Sequence, residues 1–178
     1  MRRLNSTLVV IAGEGADRVV AGLDGLHNVR AVVAGDRPAA ELTEIATRVS
    51  ATYVVHDGDP LAEVGDAWVD YFDQTAPVGG LEVAIEGAIR VLRAEAAVLP
   101  DYYIVLDPES MPPTRRHWWL GVLAGAAPAR VVPSPATSDA VRATLAHLAA
   151  GRWWPEPADG WLRELPRTVP DRAGLPSG

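Results

Sequence analysis

The chain has no cysteine, no lysine, one phenylalanine and two methionines in 178 residues. Without cysteine there is no disulfide framework, no thiol nucleophile and no thiolate-held zinc. That suits a reducing compartment, and a cytoplasmic location is expected. Without lysine, all 16 basic residues are arginine. Arginine beside abundant Ala, Gly, Val and Pro is the signature of a GC-rich genome before it is a signature of arginine chemistry. No run approaches the roughly 18 apolar residues of a membrane span. The start, Met1-Arg2-Arg3-Leu4-Asn5-Ser6-Thr7, has the charge of a targeting peptide. The apolar run after it is short and is interrupted by Glu14 and Asp17, so it reads as a first strand. There is no Gly-x-Ser-x-Gly elbow, which leaves a triad hydrolase unsupported. There is no internal repeat.

What is present is a globular composition, 48% hydrophobic, of a length that suits one domain with a substantial core. The net charge of −7 is uneven: residues 1–109 carry 8 arginines against 18 acids, and residues 110–178 carry 8 against 5. An acidic chain argues against general nucleic-acid binding, which needs a basic footprint. The basic C-terminal third can still hold a small anion locally.

Strand and helix patterns alternate. Ser6–Ala12, Val29–Ala34, Thr52–Val55, Tyr102–Leu106 and Ala129–Val132 read as strands. Their near-continuous apolar runs indicate burial on both faces. Between them, Ala16–Leu23, Pro38–Val49, the stretch from Asp59-Pro60 to Phe72, and Leu81–Leu99 carry apolar residues at helical spacing. Asp59 reads as a helix cap followed by proline in the first turn. Glu63, Asp66, Asp70 and Asp73 read as a solvated acidic face, and Glu86 and Arg90 as a pair one turn apart. Ser138 reads as the cap of a helix ending at Gly151. The expected fold is α/β with three layers: a mostly parallel five-stranded sheet, helices on both faces, Rossmann-like or flavodoxin-like in strand order. Residues 1–151 form this domain. Residues 152–178 form a Pro/Trp-rich tail packed on it, with Asp171–Gly178 frayed.

The densest meeting of apolar and ionisable residues is Asp101–Pro133. An apolar strand ends at Leu106-Asp107, Asp107-Pro108-Glu109-Ser110 stops it, and Arg115, Arg116 and His117 open a helix containing Trp118 and Trp119. A short Val131-Val132-Pro133 strand follows. Tyr102–Val132 resembles the corresponding part of the nucleoside deoxyribosyltransferase and TIR-like α/β proteins. The resemblance implies cleavage of a glycosidic bond by a carboxylate on the aromatic helix. Here Leu120-Gly121-Val122-Leu123 follow Trp119 with no acid, so the role would pass to Asp107 or Glu109. HDGDPL, LPDYYIVLDP and RHWWLGVL also resemble phrases of hypothetical α/β proteins from high-GC bacteria, which imply no activity.

Open α/β sheets bind ligands beyond the carboxyl ends of their strands. That rule selects Gly13, Gly15, Asp36, His56 and Asp57 as ligand-binding candidates, and the helix start adds Arg115 and Arg116. Asp107, Glu109 and His117 are the catalytic candidates. Gly13-x-Gly15 followed by Asp36 has the outline of a dinucleotide fingerprint, with Arg18 where a third glycine belongs. His56 beside Asp57 suits acid–base work near neutral pH. Arg115 and Arg116 at a helix start suit an anion, or an ion pair with Asp107 and Glu109. No metal site is expected, since His56, Asp57 and Asp59 alternate in direction. No motif selects a cofactor. The expected partner is a small anionic or nucleotide-like ligand, with neither nucleic acid nor membrane. The rival reading is a non-catalytic interaction module. Six tryptophans against one phenylalanine, and Trp153-Trp154 in the tail, would then anchor a protein partner or a homo-oligomer.

Overall fold

A computed structural model describes residues 6–77, 79–149, 154 and 157–169. Five strands, β1 (Thr7–Ala12), β2 (Val29–Val32), β3 (Tyr53–His56), β4 (Tyr102–Leu106) and β5 (Val131–Ser134), form one sheet in the order β2-β3-β1-β4-β5. Every pairing is parallel. The three-layer α/β class expected from the sequence is therefore what forms. The order is neither β3-β2-β1-β4-β5, as in dinucleotide-binding folds, nor β2-β1-β3-β4-β5, as in flavodoxin.

The register sorts the side chains into two faces. Val10 pairs with Tyr103 on one side and His56 on the other, so all three point one way; Val9, Ile11, Tyr102 and Ile104 point the other. Helices α1 (Ala16–Ala21) and α6 (Ser138–Leu145) cover the second face. They place Val19, Val20, Val141 and Leu145 on Val9, Ile11 and Ile104. The first face carries α3 (Ala62–Asp73), α4 (Gly80–Arg93), α5 (Pro113–His117) and α7 (Ala158–Glu164). Its core joins Val10, Tyr103 and Val105 to Trp68, Ile85, Ile89, Trp118 and Leu162. Helix α2 (Ala39–Arg48) closes a smaller cluster of Leu8, Ala46 and Val54 on that face.

Several local expectations change in instructive ways. The helix expected to reach Leu99 ends at Arg93, because Glu95 turns left-handed (φ 52). The Ala96 N–H then reaches the Val91 carbonyl and the Glu95 N–H the Leu92 carbonyl, which satisfies the last turn. Thr137, not Ser138, caps α6: its Oγ1 accepts the Ala140 N–H at 3.2 Å, while the Ser138 hydroxyl donates to the Val19 carbonyl. Glu86 pairs with Arg163 of α7 at 2.9 Å, not with Arg90. That pair ties the C-terminal helix to α4.

Helix α5 continues through a π-helical segment, Trp118–Leu123, and a last α-turn, Ala124–Ala126. The wider turn brings Trp118, Trp119, Val122 and Leu123 all to the buried side. Gly121 permits it, since a Cβ there would fall 2.5 Å from the His117 ring. Gly151 and Trp153, which the sequence reading placed at a helix end and in an interface, lie outside the described residues. Among the described residues, no helix is long and apolar enough to cross a membrane.

Candidate functional site

The strand order decides where loops part. The loop after β1 leads to α1 on one face of the sheet, while the loops after β3 and β4, on either side of it, lead to α3 and α5 on the other. A crevice opens where neighbouring loops diverge. Here it has two lobes. The inner lobe, about 400 Å³, lies on the β3 side and is lined by Gly13, Asp17, Asp57, Asp59, Asp66, Arg115 and Trp118, among others. The outer lobe, about 560 Å³, lies on the β4 side and includes Gly13, Glu14, Arg18, Asp107, Ser110 and Arg115. Gly13, Arg115 and Trp119 border both.

Gly13 sits at the crossing of the lobes with φ 117, a conformation side chains rarely adopt. A Cβ there would also stand 3.0 Å from the Leu106 carbonyl oxygen. Gly13→Ala is therefore expected to cost about 1–3 kcal/mol through backbone strain and crowding. Urea denaturation checks this; an unchanged midpoint would contradict the tight turn.

Asp59 is the most perturbed acid in the cleft wall. Its Oδ1 accepts the Leu61 N–H at 2.8 Å in the turn before α3; the helix itself begins at Ala62 after Leu61, so Asp59 is not the helix cap that the sequence suggests. The same oxygen accepts the Tyr103 hydroxyl at 2.7 Å. Burial is the largest cause that pushes its pKa up to about 6, against the opposing pull of these two hydrogen bonds. Tyr103, the second residue of β4, is fully buried, and its pKa is raised well above the usual phenol range, first by burial and then by the Asp59 charge. The hydroxyl thus stays protonated and donates to Asp59. Tyr103 also packs its ring on Trp119, at 5.3 Å between centroids.

Asp57, two residues earlier, lines the inner lobe while its Oδ1 accepts the Ala34 N–H at 2.6 Å, tying the end of β2 to the site. Asp66 pairs with Arg115 at 2.6 Å across the same lobe. The Trp118 indole N–H is buried there with no hydrogen-bond partner among the described residues.

The sequence candidates separate on this geometry. Gly13, Gly15, Asp57 and Arg115 come together around the inner lobe, and Asp107 borders the outer one. Asp107 holds a left-handed backbone, φ 40, which an aspartate tolerates better than most residues. Asp36 lies exposed in the turn after β2, outside either lining. Glu109 and Arg116 pair with each other at 2.9 Å in exposed positions, also outside it. Half of the ion pairing expected from the sequence is thus present, but Arg115 takes Asp66 rather than Asp107. His117 stacks on Trp68 with ring centroids 6.1 Å apart. His56 is buried behind the site. Burial is the largest cause that drives its pKa down to about 4, and its Nδ1 accepts the Gly58 N–H at 3.2 Å. It is therefore neutral at physiological pH, not poised near it.

The sequence reading passed over Asp59, Asp66, Tyr103 and Trp118 as site residues. A signal existed for the first of them. A tyrosine inside a doubly buried strand needs a partner for its hydroxyl. The loop after β3, rich in acids, is the nearest source.

Among the described residues, no group of three acids or histidines is placed to hold a metal ion. The chain matches no family model, no curated protein and no solved structure.

Proposed function

We propose that the protein binds a small, hydroxyl-bearing, nucleotide-like molecule in the cleft at the carboxyl edge of its sheet, with Asp59 as the group that gives or takes a proton. One observation supports this above the others: Asp57, Asp59, Asp66 and Arg115 line a single cleft with Gly13 at the point where the strand connections reverse. Carboxylates accept hydrogen bonds from hydroxyls, and the guanidinium of Arg115 borders both lobes. An acid with a pKa near 6 is available in both protonation states close to neutrality, the requirement for general acid–base work. The Tyr103 hydroxyl, fixed on Oδ1, leaves Oδ2 as the exchanging oxygen.

The tryptophan reading has less support. Trp68, Trp118 and Trp119 belong to the buried core, and Trp154 and Trp161 pack against it. The Trp154 indole N–H donates to the Pro100 carbonyl at 2.7 Å.

A thermal-shift panel of nucleosides, nucleotides, sugars and sugar phosphates tests the proposal. A ligand at about 100 times its Kd adds roughly 2.7 kcal/mol of stability. The shift is expected to vanish in Arg115→Ala and to survive in Arg116→Ala, whose side chain lies outside the lining. Equal loss in both variants would overturn the placement of the site.

A further inference from the structure

The inner lobe has an unbalanced charge. Among the described residues, four carboxyl groups, Asp17, Asp57, Asp59 and Asp66, line it against one guanidinium, Arg115, which is already paired with Asp66. His56, behind Asp57, adds no positive charge because burial keeps it neutral. The four acids do not converge as metal ligands do; they are spread around the walls. Such a field suits a cation that is extended and organic. Trp118 and Trp119 border the same lobe, and indole faces attract cations electrostatically.

The second observation is independent of charge. Trp118 is fully buried, lines this lobe, and holds an indole N–H with no acceptor among the described residues. Buried donors are nearly always paired, and an orphan beside a cleft calls for an acceptor from the ligand. A protonated amine has no lone pair to offer. The acceptor must then be a second group on the same molecule, such as a hydroxyl or ring oxygen. Gly65, which lines the same lobe, lets the indole pack closely on α3: a Cβ at that position would stand 2.7 Å from the Trp118 Nε1.

We infer that the inner lobe recognises the protonated amine of a small hydroxylated amine, an amino alcohol or amino sugar, with its ammonium group among Asp17, Asp57 and Asp66 and an oxygen on the Trp118 N–H. This rests on the cleft being the ligand site. It names the charge of the part that enters the inner lobe, which the sequence reading had expected to be negative.

The test uses matched pairs on the full chain, read by NMR titration of backbone and indole N–H signals: glucosamine against glucose, and ethanolamine against ethylene glycol. Each amine is expected to bind at least tenfold more tightly than its neutral partner, with the preference shrinking as salt is raised. Asp57→Asn keeps an acceptor for the Ala34 N–H and is expected to remove most of the preference. Asp17→Asn, at an exposed position, is expected to reduce it without a risk to the fold. The Trp118 indole signal is expected to move with glucosamine. Equal binding of amine and neutral partner in both pairs would overturn the inference and leave the site in place. Binding of sugar phosphates in the cleft without amine binding would do the same. No binding at the cleft by any probe, amine, neutral or phosphorylated, would overturn both.

Discussion

At pH 8, Asp59→Asn is expected to unfold at a higher temperature than the parent protein. The fold raises the Asp59 pKa from 3.8 to about 6. The native state therefore holds this proton longer than the unfolded chain does. Stability contributed by the group is greatest below about pH 4, declines as pH rises from about 4 to about 6, and is level above that. At pH 8 the parent bears the full cost of a buried carboxylate, about 2 kcal/mol after allowance for partial solvent access. Asparagine keeps an Oδ1 for the Tyr103 hydroxyl and the Leu61 N–H without the charge. A gain of about 2 kcal/mol raises the Tm by roughly 4–8 °C in a chain of this size. Near pH 4, where the parent carboxyl is mostly protonated, the gain is expected to disappear. A variant no more stable than the parent at pH 8 would contradict the burial of this acid.

His56 works in the opposite direction. Its pKa falls from 6.5 to about 4 on folding, so the unfolded chain binds the proton first. Its contribution rises with pH from about 4 to about 6.5 and is then complete. Over the shared window the two residues oppose each other, and the parent's profile hides both. Asp59→Asn is expected to expose the rising slope and His56→Asn the falling one. Urea midpoints measured every half pH unit separate them. Parallel slopes in the two variants would contradict the opposite shifts.

The second large effect belongs to Trp68. Its indole is fully buried, packs on Phe72, His117 and Trp118, and donates to the Leu165 carbonyl at 3.2 Å. Trp68→Ala removes a large core side chain and one of the two hydrogen bonds to that carbonyl, which also accepts the Thr168 N–H at 3.0 Å. A loss of about 3–5 kcal/mol is expected, and about 1–2 for Trp68→Phe, which keeps most of the ring but not the donor. Leu162 and Leu165 share this core with no exposed surface. The C-terminal helix is thus held by the same residue that packs α3. A Trp68→Ala cost below about 1 kcal/mol would mean that the helix is not part of the core.

The fold was legible because doubly buried strands announce themselves. TLVVIA, TYVV and YYIVL are apolar without alternation, and helical spacing separates them. The strand order was not legible, because it depends on which strands pair after the crossovers, and parallel registers leave no local mark. Half of the candidate cleft lining followed from general rules: strand ends pointed to Gly13, Asp57 and Asp107, and a helix start to Arg115. The other half hid in residues with adequate local explanations. Asp59 reads as a helix cap, Asp66 belongs to an acidic helix face, and Tyr103 and Trp118 are good core. Only the register that sets Val10 between Tyr103 and His56 places the phenol against the loop after β3. The ends of α4 and the widened turn at Gly121 likewise depend on backbone geometry that composition does not record.

The most direct measurement of the site is an NMR titration of the labelled protein with the strongest ligand from the panel of sugars, nucleosides, nucleotides and amines. The account predicts that shifts concentrate on the amides of Gly13, Gly15, Asp57, Asp59, Gly65 and Arg115 and on the Trp118 indole, and that Asp59→Asn weakens binding. Shifts concentrated instead on the Trp154 and Trp161 indoles and on α4, with the cleft unmoved, would contradict it and return the function to the tryptophan-rich surface.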